Sequence, residues 1–288
     1  MGRIILSGFS DEICEDFSKQ LEVIKSLGLS NIEIRGVDGK NISALSLEEV
    51  KEVKEKLDAA NVCVSSLGSP IGKIGIKDDF EPHFQLFKTV VETAKTLGTP
   101  YIRMFSFYMP EGENPADYGE EVRNRLKKMI DYAEEQNVIL LHENEKGIYG
   151  DSAERCKELF DAFYGPHFKG VFDFANFVEC QEETQKAYEL LKDFIVYIHI
   201  KDARMEEKKV VPPGDGDGKL ALILKQFKDS GYSGYLSMEP HLAQFSGLKD
   251  LETNGKERTD GLDGLFAWKL ALYSLKSILW DIDWRNEP

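Results

Sequence analysis

The sequence is short of the groups that would commit it to thiol, nucleic-acid or membrane chemistry. Its four cysteines, Cys14, Cys63, Cys156 and Cys180, are scattered over 288 residues with no C-x-x-C spacing. That argues against a zinc ribbon or dithiol redox motif and for a reduced, cytoplasmic protein. Positive charge is scarce, with 36 Lys and Arg against 51 Asp and Glu and a formal net charge of −15. Neither nucleic acid nor an anionic membrane is therefore an expected partner, because non-specific affinity for either is mostly Lys and Arg meeting phosphate. No stretch reaches the ~20 apolar residues of a membrane span. The first apolar run, Ile4 to Phe9, is broken at once by Ser10, Asp11 and Glu12, unlike a secretory leader. Low-complexity tracts and Pro/Ser-rich linkers are missing too, so residues 1–288 are expected to form a single domain, with 257–288 as a C-terminal helix and tail.

What is present is alternation. Short apolar runs at 3–10, 31–35, 61–66, 101–106, 138–143, 170–173, 194–200 and 234–239 read as strands, separated by stretches with helical periodicity. Phe17, Leu21, Ile24 and Leu27 form one such stripe, closed by Gly28, and Ser46-Leu-Glu-Glu49 opens another helix as a capping box. The last helix carries Leu265, Trp268, Leu272, Leu275 and Leu279 at 3–4 spacing, a stripe that can cover the final strand and would suit a homodimer. Strict β/α alternation points to a parallel sheet, and eight units in under 300 residues point to closure as a (β/α)8 TIM barrel. An open doubly wound sheet would want G-x-G-x-x-G after the first strand, where Gly8-Phe-Ser-Asp-Glu12 stands instead.

Four strands end in groups able to hold a metal: Glu143, Asp173, His199 and Glu239. In a barrel the C-terminal strand ends carry the chemistry, and strand alternation lets all four point inward together. Three carboxylates and one imidazole suit Mn²⁺ first, with Mg²⁺, Co²⁺ or Zn²⁺ as alternatives. The competing explanation is that these acids cap helices or pair with loop cations. Lys201 shares the face of His199 and could contact substrate or form a salt bridge to Glu143 or Asp173. Arg103 has the same inward parity, and an Arg103–Glu33 pair is favoured over a grip on an anionic substrate. Glu145 and His241 lie two residues past proposed ligands, over the mouth, where each alone reads as loop surface. His142 should face the helices as a hydrogen-bonded core histidine, and His83 and His167 read as solvated. Gly214 to Gly218 reads as a plain turn, and Glu206 to Lys209 as a solvated charge run.

The motifs His199-Ile-Lys-Asp202, Pro213-Gly-Asp-Gly-Asp-Gly218, Gly231-Tyr-Ser-Gly-Tyr235 and Ser237-Met-Glu239 resemble the xylose isomerase-like TIM-barrel superfamily of sugar phosphate isomerases and epimerases. The resemblance spans residues 3–241 and is most specific in the C-terminal half. It implies a divalent metal held by Glu143, Asp173, His199 and Glu239. Glu143 and Glu239 would also be the catalytic groups, exchanging protons with a carbon beside a carbonyl through a metal-stabilised enediolate. The implied protein is a sugar or sugar-derivative isomerase/epimerase acting on a small sugar or polyol. A lyase or dehydratase acting on a keto-inositol or related polyol, and a polyol-binding barrel without turnover, are the alternatives. A multi-zinc endonuclease of the same superfamily would need more than the five histidines present. Epimerases of this type often carry His three residues after the metal-binding Asp, and some carry Glu six residues after the first metal-binding Glu. Here those positions are Asn176 and Tyr149. The candidate substrate contacts, Lys201, Glu145, Asn176, Arg103 and His241, must therefore differ in detail from the relatives'.

Overall fold

Alternating β-branched and polar residues, interleaved with amphipathic helices, close into a barrel in a computed structural model that describes residues 2–245 and 262–285. The barrel strands are β1 (Ile4–Gly8), β2 (Asn31–Ile34), β5 (Cys63–Leu67), β6 (Tyr101–Met104), β7 (Ile139–Glu143), β8 (Phe168–Asp173), β9 (Ile195–Ile200) and β12 (Gly234–Met238). They form one eight-stranded sheet in the order β1-β12-β9-β8-β7-β6-β5-β2. Each named pair is parallel. A parallel bridge between Phe9 and Glu33 draws β1 toward β2 and nearly closes the ring. The chain is thus a single-domain (β/α)8 barrel, as expected.

Around the sheet lie α1 (Phe17–Ser26), α2 (Leu47–Ala60), α3 (Phe80–Leu97), α4 (Gly119–Gln136), α5 (Ala153–Phe163), α6 (Phe174–Glu179), α7 (Thr184–Leu191), α8 (Leu220–Asp229) and α9 (Gly264–Asp281). Ser46 and Glu49 form the expected capping box at the start of α2. One residue parity, including Ile4, Leu6, Leu140, Phe172, Ile198 and Leu236, packs with the helices as the main core. The other parity fills the barrel. Leu141, Val171 and Tyr197, with Tyr101, Ile139 and Tyr235, form an apolar plug, above which the polar strand-end groups sit. The stripe of α9 is buried at Trp268, Leu272, Leu275 and Leu279. Residues 257–261 and 286–288 of the expected C-terminal segment lie outside the described residues. Among the described residues no helix is long and apolar enough to cross a membrane.

Several expectations are corrected here. Two hairpins, β3–β4 (Gly36–Val37 with Lys40–Asn41) and β10–β11 (Asp202–Arg204 with Lys209–Val211), decorate the strand ends. Helix α6 follows β8 directly. Pieces of two to six residues are too short to show a period, so pattern reading misses them. Glu206, Glu207 and Lys208 are exposed at the tip of β10–β11, as a charge run should be. Gly214 to Gly218 is not a plain turn. The backbone N–H groups of Gly214, Gly216 and Gly218 all donate to the Asp202 carboxylate at 2.9–3.0 Å. A Cβ on Gly216 would come within 2.3 Å of Asp202 Oδ1, so the spacing of glycines here is a close-approach requirement.

The histidines also differ. His142 faces the helices as expected, but neither ring nitrogen has a hydrogen-bond partner among the described residues. It packs against Phe160 and Phe168, and burial pushes its pKa down to about 3. His167 is half-buried, its Nδ1 lying 2.8 Å from Val138 O. His83 is buried, and its Nε2 accepts the Gly72 N–H at 2.7 Å. Burial, helped by the nearby Arg125 charge, lowers its pKa to about 4. Protonation would turn that acceptor into a donor facing another donor.

Because the folded-state pKa of His83 lies below the unfolded value of about 6.5, the unfolded chain binds the extra proton first. The His83 contribution to stability is therefore complete above pH 6.5 and lost as pH falls toward 4, by on the order of 3 kcal/mol. His83→Gln keeps an acceptor without a titration. Urea unfolding between pH 7 and 4 should show a shallower loss of stability in the variant. Parallel pH profiles would rule the account out.

Candidate metal centre

Strand alternation puts Glu143, Asp173, His199 and Glu239 on the inner face at the ends of β7, β8, β9 and β12. All four are buried, and one ligand atom from each lies within 4.8 Å of the others. His199 Nδ1 is 2.8 Å from Glu143 Oε1, 3.6 Å from Glu239 Oε2 and 3.8 Å from Asp173 Oδ2. Lys201 Nζ donates to Glu239 Oε2 at 3.0 Å and lies 3.2 Å from Asp173 Oδ2. Lys201 thus makes the salt-bridge contacts weighed against a substrate role, with Asp173 as expected and Glu239 in place of Glu143.

Arg103 does not pair with Glu33 as favoured above. Its Nη1 lies 3.3 Å from Glu143 Oε2 and 3.7 Å from Glu239 Oε1, while Nη2 donates to Gly68 O at 3.2 Å. Glu33 Oε2 instead meets Ser237, Tyr197 and His199 at 2.6, 3.0 and 3.0 Å. Arg35, stacked between the rings of Phe9 and Phe245, binds Asp11, Glu12 and Glu239 at 2.9–3.1 Å.

The electrostatics follow from burial. Burial, with repulsion from Glu143 and Glu239, pushes Asp173 well above the usual carboxylate range against the pull of Lys201. Burial opposes the charged form of Glu239, yet Lys201 and neighbouring groups hold its pKa well below the usual range. Lys201 is likewise opposed by burial, but Asp173 and Glu239 keep it protonated. Among the described residues, two carboxylate oxygens, Glu143 Oε2 and Asp173 Oδ2, accept no hydrogen bond even though cations stand at ion-pair distance. Buried oxygens that accept no hydrogen bond, set beside an imidazole, fit a divalent cation, because each keeps a lone pair that no N–H or O–H occupies.

The remaining expected residues line the mouth. Glu145 is not free loop surface, since it receives Lys73 Nζ at 2.9 Å. His241 is mostly buried; its backbone N–H donates to Glu12 Oε2 at 2.7 Å, and its Nε2 is 3.3 Å from Glu239 Oε1. Asn176 Nδ2 donates to Asn144 O at 2.9 Å and to Glu143 Oε1 at 3.3 Å. Tyr149 points away, donating to Glu158 on α5. Asp11, Glu12 and Lys73 were missed by sequence reasoning. The acidic pair directly after β1 was the available signal, whereas Lys73 sits in a loop with no period to read. Lys73, Arg103, Glu143, Glu145, Lys201 and His241 are among the residues enclosing a cleft of about 50 Å³. A larger groove of about 620 Å³ lies against Ile4, Lys276, Trp280 and Trp284; the described residues that line it include Arg3, Lys276 and Arg285 but no Asp, Glu, His or Cys.

The sequence profile of the xylose isomerase-like TIM barrel family matches residues 21–263. The chain belongs to this family. Solved structures of the same fold include L-ribulose 3-epimerase, with a TM-score of 0.75 at 16% identity over 98% of this chain and 96% of that one. IolI, solved with a zinc atom bound, has a TM-score of 0.73 at 17% identity over 96% and 99%. The probable 3-DHS dehydratase AsbF from Bacillus anthracis has 0.67 at 17% over 87% and 96%. At such identities the likeness shows the fold alone. No curated protein matches the chain. Epimerases and a dehydratase thus stand among the neighbours of this xylose isomerase-like barrel, which itself carries a buried Glu/Asp/His cluster able to hold a metal.

Proposed function

We propose that the protein is a divalent-metal-dependent isomerase or epimerase of a sugar or sugar derivative, with Glu143 and Glu239 as the proton-transferring groups. The observation that carries this is the convergence of Glu143, Asp173, His199 and Glu239 within 4.8 Å at the barrel mouth. Bound there, a divalent ion would supply Lewis acidity toward a carbonyl and its neighbouring hydroxyl. The hard, oxygen-rich donor set favours Mn²⁺, with Mg²⁺, Co²⁺ and Zn²⁺ as alternatives. Glu143 and Glu239 come from β7 and β12, separated in the sheet by β8 and β9. They can therefore approach a substrate carbon from different sides, one removing its proton and the other returning one. Lys201, Arg103, Asn176, Glu145 and His241 would meet the substrate's oxygens once the mouth side chains swing aside, since the cleft is smaller than a sugar.

A dehydratase is the second reading, suggested by the probable 3-DHS dehydratase among the proteins of the same fold. Reduced, free cysteines agree with a cytoplasmic setting. Phe266, Tyr273 and Trp280, exposed at every seventh position of α9, are where a homodimer would pair.

Metal analysis of the purified protein, followed by incubation with a panel of keto sugars and polyols in deuterated water, tests the proposal. One metal per chain and deuterium entering the carbon beside a carbonyl, with substrate mass otherwise conserved, is the expected result. Loss of water would select the dehydratase. Metal-loaded protein that exchanges and converts nothing would reject both.

A further inference from the structure

His199 is held from both sides, and only one side faces the proposed ligands. Its Nδ1 looks toward Glu143, Asp173 and Glu239. Its Nε2 lies 3.0 Å from Glu33 Oε2, deeper in the barrel. Glu33 is 1% exposed. The same oxygen accepts the Tyr197 hydroxyl at 3.0 Å and the Ser237 hydroxyl at 2.6 Å. Tyr197 is tied in turn to Ser65 at 2.8 Å, and Ser65 to Ser7 at 2.6 Å and to Ile32 O at 3.0 Å. Phe9 and Tyr197 meet the imidazole edge-on, with centroids 5.4 and 5.7 Å away.

Glu33 points inward by the regular alternation of β2, beside an irregularity in its pairing with β5. The pairing of β2 with β5 slips between Ile32 and Glu33, so Glu33 lies opposite Ser66 and Ser65 is skipped. The extra residue is on β5, so the slip sets which β5 residue stands beside Glu33 and leaves Glu33's direction to the alternation of β2.

We infer that Glu33 is the positioning residue of the metal centre, fixing the ring orientation and tautomer of His199 so that Nδ1 presents its lone pair to the cation. This rests on the proposed metal-binding role of the cluster. An ionised carboxylate can only accept, so a hydrogen bond to Glu33 requires the hydrogen on Nε2. That leaves Nδ1 as the ligand atom, on the side where the three carboxylates stand. A carboxylate behind a metal-ligating histidine also raises the ligand's basicity, and loss of such a partner typically weakens metal affinity by about 10–100-fold.

The test compares wild type, Glu33→Gln, Glu33→Ala and His199→Ala. Affinity for Mn²⁺ is measured by competition with a chromogenic chelator, and the His199 N–H resonance is followed by ¹H–¹⁵N NMR of zinc-loaded protein. Far-UV circular dichroism in chelator checks folding. Glu33→Ala should bind about 100-fold more weakly and lose the downfield Nε2–H signal. Glu33→Gln, whose amide oxygen still accepts, should lose about 10-fold and keep a shifted signal. If Glu33→Ala does not fold, Glu33→Gln decides alone. Folded variants with wild-type affinity and an unchanged imidazole resonance would overturn the role of Glu33 while leaving the metal centre standing. Wild-type protein that binds no metal, or His199→Ala that binds it fully, would overturn the metal centre and this inference with it.

Discussion

Glu239→Gln, loaded with metal, is expected to exchange and convert substrate about 10²–10⁴-fold more slowly than wild type, the usual contribution of a positioned proton-transfer group. Gln keeps the volume and one accepting oxygen, so Arg35 or Lys201, each within 3.1 Å of Glu239, retains a partner while the other faces an NH₂ group. The variant therefore keeps most of the site's shape and loses the ability to carry a proton. Solvent-deuterium incorporation with a substrate found in the panel, normalised to metal content, gives the rate. Glu143→Gln should behave alike if the two glutamates serve opposite sides of the carbon. Undiminished turnover by metal-loaded Glu239→Gln would remove the acid/base role from this residue.

Lys201→Met is expected to destabilise the metal-free protein by about 3–5 kcal/mol, because removing one partner of a buried ion pair leaves uncompensated charge behind. Lys201 is 5% exposed, and its ammonium is within 3.2 Å of both Asp173 and Glu239. Arg35 and Arg103 reach Glu239 and Glu143, but neither is paired with Asp173. Without Lys201, Asp173 must take up a proton or repel its neighbours. A divalent ion bound among the same oxygens restores the missing charge, so added Mn²⁺ should raise the stability of Lys201→Met by more than it raises that of wild type. Chemical unfolding in chelator and in saturating Mn²⁺ measures both differences. Equal stability of the two proteins in chelator would show that Lys201 does not balance the carboxylates.

Much of this site was legible before any coordinates. Strand parity alone put Glu143, Asp173, His199 and Glu239 on one face, since a two-residue period leaves only two directions to choose from. The same parity sent His142 to the helix side. The roles of Glu33 and Arg103 were not legible. Both were correctly turned inward, but which inward acid meets which inward base depends on depth along the barrel axis. Glu145 and His241 were read as loop surface because neighbours in sequence say nothing about Lys73 or Glu12 arriving from other loops. Asp202 looked like the end of a motif. Only the folded loop shows its carboxylate bound by the N–H groups of Gly214, Gly216 and Gly218.

By itself the sequence determined the alternation of strands and helices, and therefore a parallel barrel with its acids and imidazole at one end, because hydrophobic periodicity and strand direction are local properties. Tertiary structure alone decided the partners: His199 between Glu143 and Glu33, Lys201 between Asp173 and Glu239, and Arg35 among Asp11, Glu12 and Glu239. Those contacts join residues as much as 204 positions apart. They are set by strand register, stagger and side-chain length in a closed sheet, quantities that no window of sequence contains.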